Sequence, residues 1–342
     1  MQIGLYGHTH GLGYRDEINL FARSMPATLL DPTSVAQDAE RAGFHSMWFP
    51  DHVCMPMASE SAHVANESRE RAYEPRHEML DAAVVMGAVA TVTTRLRLGT
   101  SVLIAPYRNP LSDARQFATV DILSNGRLIL GVGAGWMAEE YDALGIDFAE
   151  RGRRTIESIE IYKRSWTDDV VAFEGEHFRF ENLSMDPKPV QQPRPPILYG
   201  GVAATGARRA ARHCDGFYPL FLDPYSEPNR YDALNDVIRD ELDQVGRAHE
   251  TFTMAAATTM HVTDASDALA TASPRMICTG SAEQVLEDLE GFAKAGYSLA
   301  VCLMDVPSGE LSELREQIDR VGREVLPQAS DLVAAGDWQP AL

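Results

Sequence analysis

The chain has 342 residues, 45% of them hydrophobic, enough for one large core or two modest ones. Asp and Glu number 50 against 30 Lys and Arg, and the formal charge of -20 works against binding nucleic acid or an anionic membrane surface. A small anionic ligand stays open, because a few backbone N–H groups and one arginine hold a phosphate locally. No stretch is apolar for the roughly 18 residues that a membrane span needs. Met1 leads directly into Gln2 and Ile3 without a charged n-region, so the expectation is a cytoplasmic protein without a secretory signal. Cys54, Cys214, Cys278 and Cys302 lie far apart with no CxxC, which predicts neither a metal cage nor a disulfide framework.

Ile3 to Gly7 reads as a first strand, and Gly11 to Leu30 as an irregular surface excursion. Asp31-Pro32-Thr33 opens a helix with proline in its first turn; the helix runs to Ala42 and stops at Gly43. Phe44 to Phe49 is a second strand, ending in Pro50-Asp51-His52. Val53 to His77 is long, polar and without a clear period, as a lid or binding loop would be. Leu80 to Thr93 is apolar nearly all round, which suits an inner helix or one buried at a subunit interface. Leu96 to Ile104 forms a third strand, followed by the loop 106–110 and a helix over Leu111 to Leu123.

The segment NGRLILGVGAGW (125–136) joins a turn signal to a buried-type fourth strand and three alternate glycines, Gly131, Gly133 and Gly135. It is not a nucleotide fingerprint, because the third glycine of GxGxxG would fall where Trp136 stands. A helix carrying Glu139, Glu140 and Tyr141 follows, then another from Arg151 to Trp166. Val170 to Phe180 alternates around Glu174-Gly175 as an inserted hairpin, and a proline-rich connector runs from Pro187 to Pro196. Strand five (Ile197 to Tyr199) ends at Gly200-Gly201 and leads to a helix over Ala204 to His213. Strand six is Gly216 to Leu220, with a helix over Tyr225 to His249. Strand seven is Thr253 to Val262, followed by a helix over Ser281 to Ala295. Strand eight is Leu299 to Met304, and a last helix covers Gly309 to Val325.

Eight strands alternating with helices predict an α/β chain folded as a closed (β/α)8 TIM barrel, ahead of an open doubly wound sheet. One domain is expected over 1–342, with insertions around 53–77 and 167–196. In such a barrel the site gathers at the C-terminal strand ends. Those ends offer Asp51-His52, Thr100-Ser101-Val102, Gly133-Ala134-Gly135 and Gly200-Gly201-Val202, then Leu220-Phe221, His261 and Asp305. The two glycine groups read either as a cradle for a large flat ligand with a phosphate or as plain tight turns. His52 reads as a proton donor or acceptor oriented by Asp51, against a capping Asp and a merely solvated His. His8-Thr9-His10, with Asp305, has the spacing of the metal-dependent amidohydrolase barrels. The middle strands end in GAGW, YGG and PLF, with no bridging ligand, so no metal is expected there.

Six segments, taken together and in order, resemble the coenzyme F-420-dependent branch of the luciferase-like monooxygenase superfamily. They are FPDH (49–52), RLRLGTSVL (95–103) with PYRNP (106–110), and FATVDILSNGRLILGVGAGW (117–136). EEYDALGIDFAERGRRTIE (139–157), PKPVQQPRPPILYGG (187–201) and ARRAARHCDGF (207–217) complete the set. The resemblance implies a barrel with an inserted region, a homodimer, and a deazaflavin or flavin in the barrel mouth. It implies a non-prolyl cis peptide at Ser101-Val102 behind the ring, the pair Asp51 and His52 beside it, and the two glycine segments around ring and phosphate. The implied activity is hydride transfer between F-420 and a small organic substrate. The alternatives are an FMN-dependent two-component monooxygenase served by a separate reductase, and a cofactor-binding protein without catalysis. The deazaflavin's oligoglutamate tail asks for basic residues, for which Arg108 and Arg154 are available. Trp136 stands where sugar-phosphate dehydrogenases of this branch carry an acid, which argues against that substrate. Trp136 and Trp48 read as packing residues or as partners of ring or substrate.

Overall fold

Short apolar runs, buried over nearly their whole length, form the central strands, as a parallel sheet covered on both faces demands. The computed structural model describes residues 1–13, 22–23, 25–62, 73, 76–219, 228–335 and 342. Eight runs build the sheet: β1 (Gln2–Tyr6), β2 (Ser46–Phe49), β3 (Arg97–Thr100), β4 (Leu128–Gly133), β5 (Ile197–Gly200), β6 (Gly216–Tyr218), β7 (Thr253–Val262) and β8 (Leu299–Met304). Each pairs in parallel with the next. The circle closes where β8 lies beside β1 in the register Gln2↔Leu299 to Leu5↔Cys302. The (β/α)8 barrel expected from the sequence is therefore the fold.

The helices around it are α1 (Pro32–Ala42), α2 (Ala82–Val92), α3 (Pro110–Ser124), α4 (Ala138–Ala143), α5 (Arg151–Thr167) and α6 (Ala204–His213). After them come α7 (Pro228–Gln244), the short α8 (Ala268–Thr271), α9 (Ala282–Lys294) and α10 (Leu311–Glu324). Local chemistry sets their ends. Pro32 occupies the first turn of α1 and Gly43, at φ +98°, ends it; Ser281 and Gln284 cap α9 reciprocally. The inserted hairpin is present as Val171–Glu174 against Arg179–Leu183.

Two expectations need correction. The third strand is not continuous: it breaks after Thr100 and resumes as Leu103–Ile104, which pairs with β4. The break sits at Ser101-Val102, a cis peptide. Helix α2 is not an inner helix: its core side is Ala82, Val85, Met86, Val89 and Ala90, while Val84 is 72% exposed. Leu326–Ala329 adds one helical turn after α10. Leu220 and Phe221 lie outside the described residues.

One apolar layer packs between helices and sheet, and a second fills the barrel with Tyr6, Trp48, Ile129, Leu198, Tyr218 and neighbours. Trp48 takes the centre of that inner layer, fully buried, with its indole N–H donated to Ser46 Oγ at 2.8 Å. A Cβ on Gly4 would lie 2.8 Å from the indole nitrogen, and one on Gly99 would collide with the indole ring. The inward glycines thus leave room for one large side chain. Trp48 is core, not a ligand partner.

Candidate active site at the barrel mouth

The cis bulge explains the alternate glycines. Val102 turns into the mouth, where a Cβ on Gly133 would approach its Cγ2 to 2.5 Å and one on Gly200 its Cγ1 to 2.6 Å. A Cβ on Gly131 would collide with the Thr100 carbonyl oxygen, and Thr100 Oγ1 donates to the Gly131 carbonyl at 2.6 Å. Gly131, Gly133 and Gly200 therefore accommodate the protein's own third strand. Gly135 is different: its φ of +68° is a left-handed conformation, and a Cβ there would meet Ile104 Cγ2 at 2.8 Å. Ala134 accepts from the Tyr141 hydroxyl, and Ser101 Oγ lies 2.9 Å from the Tyr218 hydroxyl.

Gly201 and Val202 differ from these glycine-packed positions. A Cβ on Gly201 would meet nothing nearer than Gly206 Cα at 3.8 Å, and α6 starts just beyond with no side-chain cap on its first N–H groups. Room and a helix N-terminus without a side-chain cap fit an anionic group. The residues present are compatible with a phosphate-bearing cofactor.

Asp51 and His52 are adjacent, but they do not pair. Asp51 is buried and accepts both guanidinium nitrogens of Arg108, at 2.7 and 2.6 Å, plus the Ile104 N–H at 3.0 Å. It ties the end of β2 to the strand piece just after the bulge. Arg108 is thereby engaged by Asp51. Arg154 lies with its guanidinium carbon 5.6 Å from the Phe178 ring centre.

The partner of His52 is Glu140, with Nδ1 2.7 Å from Oε2. The other carboxylate oxygen accepts the N–H groups of Val53 and Cys54 at 2.5 and 3.0 Å. Burial alone would raise this carboxyl, but His52 and the Cys54 N–H outweigh it and hold it below the usual carboxylate range. Glu139 accepts the N–H groups of Glu60 and Ser61, so adjacent carboxylates of α4 pin both ends of the loop start 53–61. The sequence signal for Glu140 was its place on a short helix after β4; nothing in the spacing pointed to His52, 88 residues earlier.

Aromatic rings close this corner. Tyr73 lies edge-on to His52 at 5.3 Å and stacks with Trp136 at 6.5 Å between centroids, while Trp136 meets His52 edge-on at 6.1 Å. His8 is buried, with Nδ1 3.2 Å from the Gly11 carbonyl, and burial lowers its pKa to about 4. A neutral imidazole donating from Nδ1 leaves Nε2 an acceptor. Among the described residues, His8, His10 and Asp305 do not gather into a group of metal ligands.

Residues 19–299 match the family described as luciferase-like monooxygenase. The chain belongs to the luciferase-like monooxygenase family. It is 36% identical, over 55% of its length and 52% of the relative's, to an F-420-dependent glucose-6-phosphate dehydrogenase of Amycolatopsis mediterranei. It is 32% identical, over 40% of its length and 39% of the relative's, to an FMNH2-dependent dimethylsulfone monooxygenase of Pseudomonas putida. The solved structure of the monooxygenase RslO1 from Streptomyces bottropensis superposes with a TM-score of 0.72 at 20% identity, covering 96% of this chain and 99% of that one. The family includes F-420-dependent and FMN-dependent members, and its enzymes are oxidoreductases. No helix among the described residues is long and apolar enough to cross a membrane.

Proposed function

We propose that this chain transfers a hydride between coenzyme F-420 and a small organic substrate, as one cytoplasmic barrel domain over 1–342 that works as a homodimer. The observation that carries the reading is the Ser101-Val102 bulge, wedged against Gly133 and Gly200 and tied through Ile104 and Asp51 to the strand end that bears His52. Thr100, Ser101 and Val102 would form the floor beneath a flat ring. Gly133, Ala134 and Gly135 would border it, and Gly200, Gly201 and Val202, with the first turn of α6, would hold the phosphate. The deazaflavin supplies the hydride chemistry when bound. The protein's share is position and proton: Glu140 occupies the Nδ1 side of His52, leaving Nε2 to exchange a proton with the substrate, and the rings of Tyr73 and Trp136 keep water from that corner. Asp51 acts by holding Arg108 and the bulge in place.

One observation favours a second reading. Because Arg108 is committed to Asp51, the mouth has one cation fewer for an oligoglutamate tail, and FMN has no such tail. On that reading the chain takes reduced FMN from a separate reductase and oxygenates a small molecule, as the 32% identical dimethylsulfone monooxygenase does. A binding protein without catalysis accounts poorly for the buried His52–Glu140 pair. Fluorescence titration of the pure apoprotein separates the readings. Binding of F-420 in the low-micromolar range or tighter, with FMN weaker, is expected; tight FMN with no F-420 binding overturns the first reading.

A further inference from the structure

The inserted hairpin ends in a cluster that the proposed redox site does not use. Its tip is held to α5 by Glu157, whose carboxylate accepts the N–H groups of Glu176, His177 and Phe178 at 2.7, 3.0 and 3.2 Å. So anchored, Glu176 and His177 face Glu150, which immediately precedes α5. One ligand atom from each of the three residues lies within 4.8 Å of the others. The His177 side chain is only 10% exposed, and its Nε2 is buried without a hydrogen-bond partner, 3.4 Å from Glu150 Oε2. A buried ring nitrogen left in that state is costly unless something else completes it.

We propose that Glu150, Glu176 and His177 form a binding site for a divalent zinc ion that fastens the hairpin to the start of α5. One imidazole nitrogen and two carboxylates are zinc ligands of ordinary type, and water completes a tetrahedral set. Magnesium, which favours an octahedral shell of oxygens, fits this donor set less well. The two carboxylates match the ion's charge. Arg153 now covers the outer side: Nε donates to Glu150 Oε2 at 2.8 Å and lies 3.6 Å from Glu176 Oε2. Its side chain is 60% exposed, so it can leave for water, and it competes with the ion for the same oxygens. None of the three ligands is a residue assigned to the cofactor or to proton transfer, so the site stands or falls independently of the redox reading.

The test titrates zinc chloride into full-length, chelator-treated protein against a chromophoric zinc chelator. One equivalent should bind in the micromolar range. His177→Ala and Glu176→Gln should each weaken binding by more than about tenfold, and Arg153→Ala should strengthen it. Circular dichroism checks that each variant is folded, and the conservative Glu176→Gln serves if His177→Ala is not. No binding to the wild-type chain overturns the proposal. So does binding that both ligand variants leave unchanged, which would place the zinc elsewhere.

Discussion

Glu140 decides what His52 can do. A carboxylate on Nδ1 orients the ring, and on the proposed reading it leaves Nε2 for the substrate. Because its pKa is lowered on folding, Glu140 stays charged at every pH above the ordinary carboxylate range, and its contribution is lost only as pH falls through the lowered value. Glu140→Gln keeps an acceptor for the Val53 and Cys54 N–H groups but removes the anion beside His52. Turnover should drop by about tenfold or more, with the pH profile moved toward lower pH and cofactor affinity nearly unchanged. A profile that does not move would mean Glu140 serves only the loop. Asp113 gives a second pH-dependent case. Fully buried and hydrogen-bonded by the Tyr162 hydroxyl at 2.9 Å, its carboxyl is pushed up to about 7 by burial. A raised carboxyl stabilises the fold while protonated, and that contribution is lost as pH rises through about 7. Asp113→Asn should therefore gain on wild type in urea-melt stability as pH rises from the ordinary carboxyl value of 3.8 to about 7, with no further change above that. Equal slopes for the two proteins would remove Asp113 as the cause.

At the scale of elements, β3, β4 and β5 are fitted to one another through missing side chains. The crowding predicts a hierarchy. Gly133→Ala drives a methyl against Val102, a branched side chain with little freedom, and should cost about 1–3 kcal/mol. Val102→Ala should relieve much of that cost in the double variant, whereas it should do nothing for Gly131→Ala, which meets the Thr100 backbone. Equilibrium unfolding of the four proteins in each cycle measures the coupling, and additivity at Gly133 would refute the fit described here.

For the molecule as a whole, the outer surface of α2 is unusual in a chain this acidic. Val84 and Val92 are exposed on α2, and Ile122 and Leu123 are exposed at the end of the adjoining α3. A second copy of the same face would cover it, as most soluble oligomers are symmetric. Sedimentation should give a dimer for the wild type, and Val84→Asp should shift it toward monomer. A monomeric wild-type chain would dismiss this use of the face. Arg127 donates to the carbonyls of Ala90, Thr93 and Leu96, which joins the end of α2 to the start of β4.

The alternation of apolar runs and helical periods determined the barrel, since a strand buried on both faces and an amphipathic helix each announce themselves within about a dozen residues. Short motifs likewise placed Asp51, His52, Ser101 and Val102 at strand ends. What local sequence could not carry was partnership across the mouth. Asp51 stands beside His52 in the chain, yet one turns to Arg108 and the other to Glu140. The glycines of NGRLILGVGAGW announced a close approach without saying by what. Only the closed barrel brings Trp48 and Thr100 against Gly131 and Val102 against Gly133.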